Sequence, residues 1–95
     1  MYGTVALCHV RSDNFAKLQA LATAEDSLNI DGYLGTDLLV VDNHPDTVLM
    51  VVRFRDPDTY RANGDSADQD ARYQEFRALM EDDPIWYDGA WVPVP

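Results

Sequence analysis

Apolar positions alternate along some stretches of the chain and recur every three or four residues along others. Tyr2–Arg11 carries Thr4, Val5, Leu7, Cys8 and Val10 with no proline and one early glycine, the make-up of a strand. Ser12-Asp13-Asn14 then offers polar N-cap candidates. Phe15, Leu18, Leu21, Ala22 and Leu28 fall on one stripe, which predicts an amphipathic helix over Asn14–Leu28. Asn29-Ile30-Asp31-Gly32 ends it, with Gly32 free to take a positive φ. Tyr33–Asp42 and Thr47–Arg55 read as two strands joined by the turn-forming run Asp42–Asp46, hence a hairpin.

Asp56-Pro57 opens a short helical turn through Tyr60, with Asp56 at the N-cap and Pro57 at N1. Asn63-Gly64-Asp65 is expected to break it. Ser66 and Gln69 form a capping box that starts a second main helix reaching Asp82, with Tyr73, Phe76, Leu79 and Met80 on its apolar face. Pro84 stops that helix, because it removes a donor and biases Asp83 away from helical backbone. Ile85–Val94 is a last strand, and Pro93 and Pro95 put its tail at a sheet edge. The order β-α-β-β-α-β predicts an α+β, ferredoxin-like fold with a four-stranded antiparallel sheet and helices on one face.

The third strand tests the other face. Val48, Met50, Val52 and Phe54 point one way, and Leu49, Val51, Arg53 and Arg55 the other. Both faces are apolar at mid-strand, whereas a solvated face would be polar at alternate positions. Either the outer face tolerates a few aliphatics, or a second copy covers it and makes a two-fold homodimer. Length favours the second, because 95 residues make one small domain, 1–95, with a thin core of its own.

Charge narrows the partners. Seven Lys and Arg against 17 Asp and Glu give a formal −10, which disfavours nucleic acid and anionic membrane surfaces. An apolar fraction of 46% is too high for a disordered acidic tail. The single cysteine excludes an intrachain disulfide and a cysteine-based zinc cluster. Met1–Val10 lacks a basic flank and a long apolar stretch, so no export signal is read there and a reducing cytoplasm is the expected location.

The element order, the length and the run Phe54-Arg55-Asp56-Pro57-Asp58-Thr59-Tyr60-Arg61-Ala62-Asn63, with Asp65–Arg72 after it, resemble the antibiotic biosynthesis monooxygenase family of dimeric α/β-barrel proteins. The resemblance implies a dimeric α/β barrel. It also implies cofactor-independent oxygenation of an aromatic polyketide-like or quinol substrate, with no metal or other cofactor. The same superfamily implies two alternatives: a non-catalytic barrel that binds a small apolar ligand or partner protein, and an isomerase or lyase. Haem degradation is disfavoured, because Ser66–Asp82 contains no histidine.

Such chemistry asks for an apolar pocket and a polar group that stabilises a phenolic anion. The resemblance places Tyr33, Phe54, Tyr60 and Asn63 at the pocket positions. Tyr33, Tyr60 and Asn63 would orient substrate, and Arg53 would hold its oxyanion. Tyr73, Trp86 and His9 complete the candidate set as substrate contacts, with His9 the base in the isomerase reading. Each also has a plain structural role available: core packing for the tyrosines, a turn for Asn63 beside Gly64, a rim ion pair for Arg53. Arg72 reads as a solvated partner of Glu75, three residues on. Cys8 and His9, adjacent on a strand, face opposite ways and cannot form a dyad.

Overall fold

A computed structural model describes residues Met1–Pro95. Four strands, β1 (Tyr2–His9), β2 (Tyr33–Val40), β3 (Thr47–Phe54) and β4 (Ile85–Ala90), form one antiparallel sheet in the order β2-β3-β1-β4. Three helices, α1 (Phe15–Glu25), α2 (Pro57–Gly64) and α3 (Ala67–Arg77), complete the ferredoxin-like α+β arrangement. The sheet is open, with β2 and β4 as its edges, and does not close into a barrel. No helix is long and apolar enough to cross a membrane.

Strand alternation sorts the side chains. Ala6, Cys8 and Val10 from the β1 segment and Val48 and Met50 from β3 meet Leu18 and Ala22 of α1, Phe76 of α3, and Met80 in one buried cluster. The opposite face has no helix over it. There Ile85, Leu7, Leu49 and Leu39 stand in one row across all four strands, and Tyr87, Val5 and Val51 in the next. Only 14 of 95 residues are buried, so much of the apolar sheet surface is left uncovered by the chain itself.

Several element ends differ from the sequence expectation, each for a local reason. Helix α1 stops at Glu25, not Leu28: the amides of Asp26, Ser27 and Leu28 bond three residues back, which tightens the last turn, and Leu28 is exposed. Ser12–Asn14 is a 3-10 turn, and no side chain caps α1; the Asn14 amide instead donates to the Leu79 carbonyl at 3.4 Å. The turn after Pro57 is a full helix that runs through Asn63 and Gly64. Its Asp56 cap is as expected, with the carboxylate accepting from the Thr59 amide at 2.8 Å. The hydrogen bonds made hold that carboxyl below the usual range, the Thr59 bond first.

Helix α3 is capped by Ser66 as expected, with Oγ accepting from the Gln69 amide at 3.0 Å, but it ends at Arg77 rather than Asp82. Arg77 donates to the Met80 carbonyl and to Asp83, and Met80 leaves the helix to pair with Val10. β2 ends at Val40 and β4 at Ala90, each shorter than expected. Gly32 does take a positive φ, 76°, and a side chain there would run into Thr59 of α2.

Cys8 is 1% exposed, and burial pushes its thiol up to about 11. The thiolate is the reactive form. A disulfide reagent at neutral pH should therefore leave the native protein unlabelled and label one thiol per chain once it is denatured. Fast labelling of native protein would contradict the burial of β1.

Candidate functional site

The buried cluster fills one end of the space between helices and sheet, around Val10 and Val48. At the other end Tyr33, Phe54, Tyr60 and Tyr2 form a chain of edge-on aromatic contacts with centroids 5.4–5.6 Å apart. Between the two ends is a cavity of about 540 Å³, within the range of small-molecule sites. Met50, Val52 and Phe54 form its floor, Tyr60 and Asn63 come from α2, and Gln69, Tyr73 and Phe76 from α3. Trp86 and Asp88 reach it from β4, Thr4 from β1 and Glu25 from the end of α1. A second recess of about 380 Å³ lies between α1 and β2, but it has no arginine, tyrosine or amide pair in its wall.

Phe54, Tyr60, Asn63, Tyr73 and Trp86 thus share one cavity. The Tyr73 and Trp86 rings pack at 5.8 Å. Tyr33, Arg53 and His9 do not line it. Tyr33 precedes the bulge at Leu34, lies against Phe54 and puts its hydroxyl 2.6 Å from Thr36 Oγ1, so it backs the wall. Arg53 is one residue from Phe54 and therefore faces the other way. It pairs with Asp37 and lies over Trp91 at 5.6 Å on the outer face, so it cannot hold an oxyanion in this cavity. His9 sits at the far end of β1, with Nδ1 2.9 Å from the Asp82 carboxylate. It is no base for this cavity.

Hydrogen bonding gives the wall its chemistry. Tyr60 donates its hydroxyl to Asp88 at 2.9 Å. Burial, and then the Asp88 carboxylate, push the Tyr60 hydroxyl up to about 12, so it stays protonated and acts as a donor. Thr4, 2% exposed, stands beside that hydroxyl with an Oγ1 that lacks a hydrogen bond of ordinary geometry. Burial also raises Tyr33 and Tyr73.

The sequence reading passed over Glu25 and gave Arg72 a different partner. Glu25 is pushed up by burial, partly offset by the charge of Arg72 and reinforced by Asp26. Arg72 does not turn to Glu75: its Nη2 donates to Asn63 Oδ1 at 3.3 Å and Gln69 Oε1 at 3.0 Å, while its Nε is buried without an acceptor. A carboxylate closing a helix, at the negative end of the dipole, was the available signal for Glu25.

No family model matches the chain, and no curated protein matches it. Solved structures do. A Caulobacter crescentus protein provisionally named an antibiotic biosynthesis monooxygenase superposes with a TM-score of 0.76 at 17% identity, over 97% of this chain and 90% of that one. A Deinococcus radiodurans protein with the same provisional name gives 0.74 at 12% identity, over 100% and 96%. The fold is that of the antibiotic biosynthesis monooxygenase-like proteins. A conserved protein from Methanosarcina mazei Go1 shares it, with a TM-score of 0.72 at 12% identity, over 90% of this chain and 87% of that one. At these identities the antibiotic biosynthesis monooxygenase-like fold is what is shared; function is a separate question.

The raised tyrosine gives a sign for alkaline stability. A hydroxyl held protonated in the fold but ionising near 10.0 when unfolded adds stability below pH 10, which is lost as pH rises toward 12. Urea unfolding at stepped alkaline pH should show that decline. Tyr60→Phe should flatten it, with Tyr33 and Tyr73 supplying what remains. An identical alkaline decline in Tyr60→Phe would remove Tyr60 as its source.

Proposed function

We propose that the protein is a cofactor-independent monooxygenase for an aromatic phenol or quinol of the polyketide type, acting as a homodimer. The observation that carries this reading is a ligand-sized cavity with aromatic walls from Phe54, Tyr60, Tyr73 and Trp86 and hydrogen-bonding groups on the remaining sides. The fold shared with proteins provisionally named antibiotic biosynthesis monooxygenases supports it.

The chemistry asked of the protein is modest. An aromatic anion is itself the reductant of O2. With an anthrone, the ring methylene becomes a carbonyl, one oxygen atom stays on that carbon and the other leaves as water. The electrons lost by the substrate equal those gained by O2, so no outside reductant enters. Rings of the wall position the substrate and exclude water, which would otherwise quench reactive intermediates. Asn63 orients a substrate oxygen, and Tyr60, fixed by Asp88, bounds the polar side of the site. The alternative isomerase reading rested on His9, which stands outside the cavity and pairs with Asp82.

The homodimer rests on the uncovered rows Ile85-Leu7-Leu49-Leu39 and Tyr87-Val5-Val51. A second copy laid on that face would bury them and complete the thin core.

Oxygen uptake with a panel of anthrones and hydroquinones tests the activity. Tyr60→Phe keeps the ring and should lower turnover about tenfold, the effect of ~1.4 kcal/mol in the transition state. No uptake with any member, or full activity in the variant, would sink the respective claim. Sedimentation equilibrium should give twice the chain mass for the wild type and a monomer for Leu49→Lys. A wild-type monomer would refute the dimer.

A further inference from the structure

The polar side of the cavity contains an unusual arrangement. In a chain of net charge −10, Arg72 makes no carboxylate contact; its hydrogen bonds go to two neutral amides, Asn63 and Gln69. A guanidinium has only donors, so the atoms facing it must be the amide oxygens. That settles the orientation of both side chains. Their nitrogens make no hydrogen bond within the chain, and both residues line the cavity while Arg72 stands behind them. Two wall residues of the cavity thus carry amide N–H groups without a partner in the chain, on side chains whose oxygens are held by a cation whose Nε is itself buried without an acceptor. Glu25, half-buried at the end of α1, lines the same cavity, and nothing donates a hydrogen bond to it.

We propose that Glu25 is the proton acceptor of this cavity, and that the Asn63 and Gln69 N–H groups, set by Arg72, hold the oxyanion left on an aromatic phenol when Glu25 takes its proton. In this step the phenol O–H bond breaks, its electron pair stays on the substrate oxygen, and the proton forms an O–H bond on the Glu25 carboxylate. Nothing is oxidised. The proposal rests on the phenol-binding reading above and supplies the anion which that reading requires. Glu25 and the donors are catalytic residues in this scheme; Arg72 is a positioning residue.

Burial raises the proton affinity of Glu25, and Asp26 adds to it, while Arg72 restrains it. The other charged groups in the wall are Arg61, Asp65, Asp70 and Asp88. Tyr60 and Tyr73, both raised, stay neutral near pH 7 and do not compete as bases. A simple phenol ionises near 10, so transfer to any carboxylate is uphill unless donors stabilise the product. This is the work assigned to the two amides.

The test uses 4-nitrophenol, whose anion is yellow and whose neutral form is not. It is titrated into the whole protein at several pH values above the ionisation of Glu25 and below that of the probe. The wild type should bind the probe as its anion, with affinity independent of pH, because the proton moves to Glu25 and none is released. In Glu25→Gln the proton must go to solvent, so affinity should fall about tenfold for each unit drop in pH. Arg72→Met should bind the probe in its neutral form. Circular dichroism and melting confirm that each variant is folded.

A wild-type affinity that itself falls tenfold per unit, a bound probe that stays neutral, or no binding at all overturns the proposal. Oxygen uptake is read separately. Glu25-dependent anion binding without uptake of O2 by any anthrone upholds the proton acceptor and rejects the oxygenase. Uptake that is undiminished in Glu25→Gln rejects the proton acceptor and upholds the oxygenase.

Discussion

The contact of Val48 and Met50 on β3 with Leu18 of α1 and Phe76 of α3 commits the even positions of that strand to the helix layer. Since side chains alternate, the same contact sends Leu49, Val51 and Arg53 to the opposite face. β1 and β2 follow through their registers, Leu7 and Leu39 both opposing Leu49. One packing decision on one strand therefore determines which residues line the cavity and which form the bare outer face. A slip of a single residue would exchange them.

The cavity exists because two groups of large side chains occupy the ends of the layer and neither fills its middle. Leu18, Val10, Val48 and Met80 close one end, and the ring contacts of Tyr33, Phe54, Tyr60 and Tyr2 close the other. Helix α2 is the element that makes the second end work. Its Asp56 cap and Pro57 start fix its direction straight out of β3, and Gly32 lets Thr59 come close to the α1–β2 loop. Tyr60 is thereby pressed against Phe54 while Asn63 still reaches the cavity.

The sequence was most readable where local chemistry acts alone. The Asp56 and Ser66 caps, the positive φ of Gly32 and the alternation of β3 are all as expected. It was least readable where a distant segment intervenes. Arg77 turns the chain out of α3 so that Met80 can pair with Val10, some seventy residues earlier, and no helical stripe records that. The family resemblance implies a pocket position for Tyr33, but the bulge at Leu34 and the Thr36 hydroxyl turn it to the wall. Arg53 is instructive, since the alternation that excludes it from the cavity was visible in the sequence. Glu25 was hidden by reading α1 three residues too long, which made it an ordinary interior position. Arg72 was hidden because its i+3 neighbour Glu75 offered an obvious partner, whereas Gln69, three residues before it, and Asn63 took its donors.

What remains free in the cavity limits what can bind there. The Tyr60 proton is already given to Asp88, and the Asn63 and Gln69 oxygens are occupied by Arg72. The groups left without a partner include the amide N–H donors, the Glu25 carboxyl, the Tyr73 hydroxyl, the Trp86 indole N–H, and the Thr4 hydroxyl, which is adaptable. A ligand that satisfied them would need an oxygen that accepts and an acidic hydrogen that donates, carried on a flat apolar body that fits among Phe54, Tyr73 and Trp86. A simple hydrocarbon would leave the carboxyl and both amides desolvated without partners, at a cost of about 1–3 kcal/mol each or more. A permanently charged carboxylic acid would satisfy the donors but set a second negative charge near Glu25. An oxygenated aromatic that enters neutral and becomes an anion only inside meets both demands, because the proton it gives up removes the charge that would have opposed it.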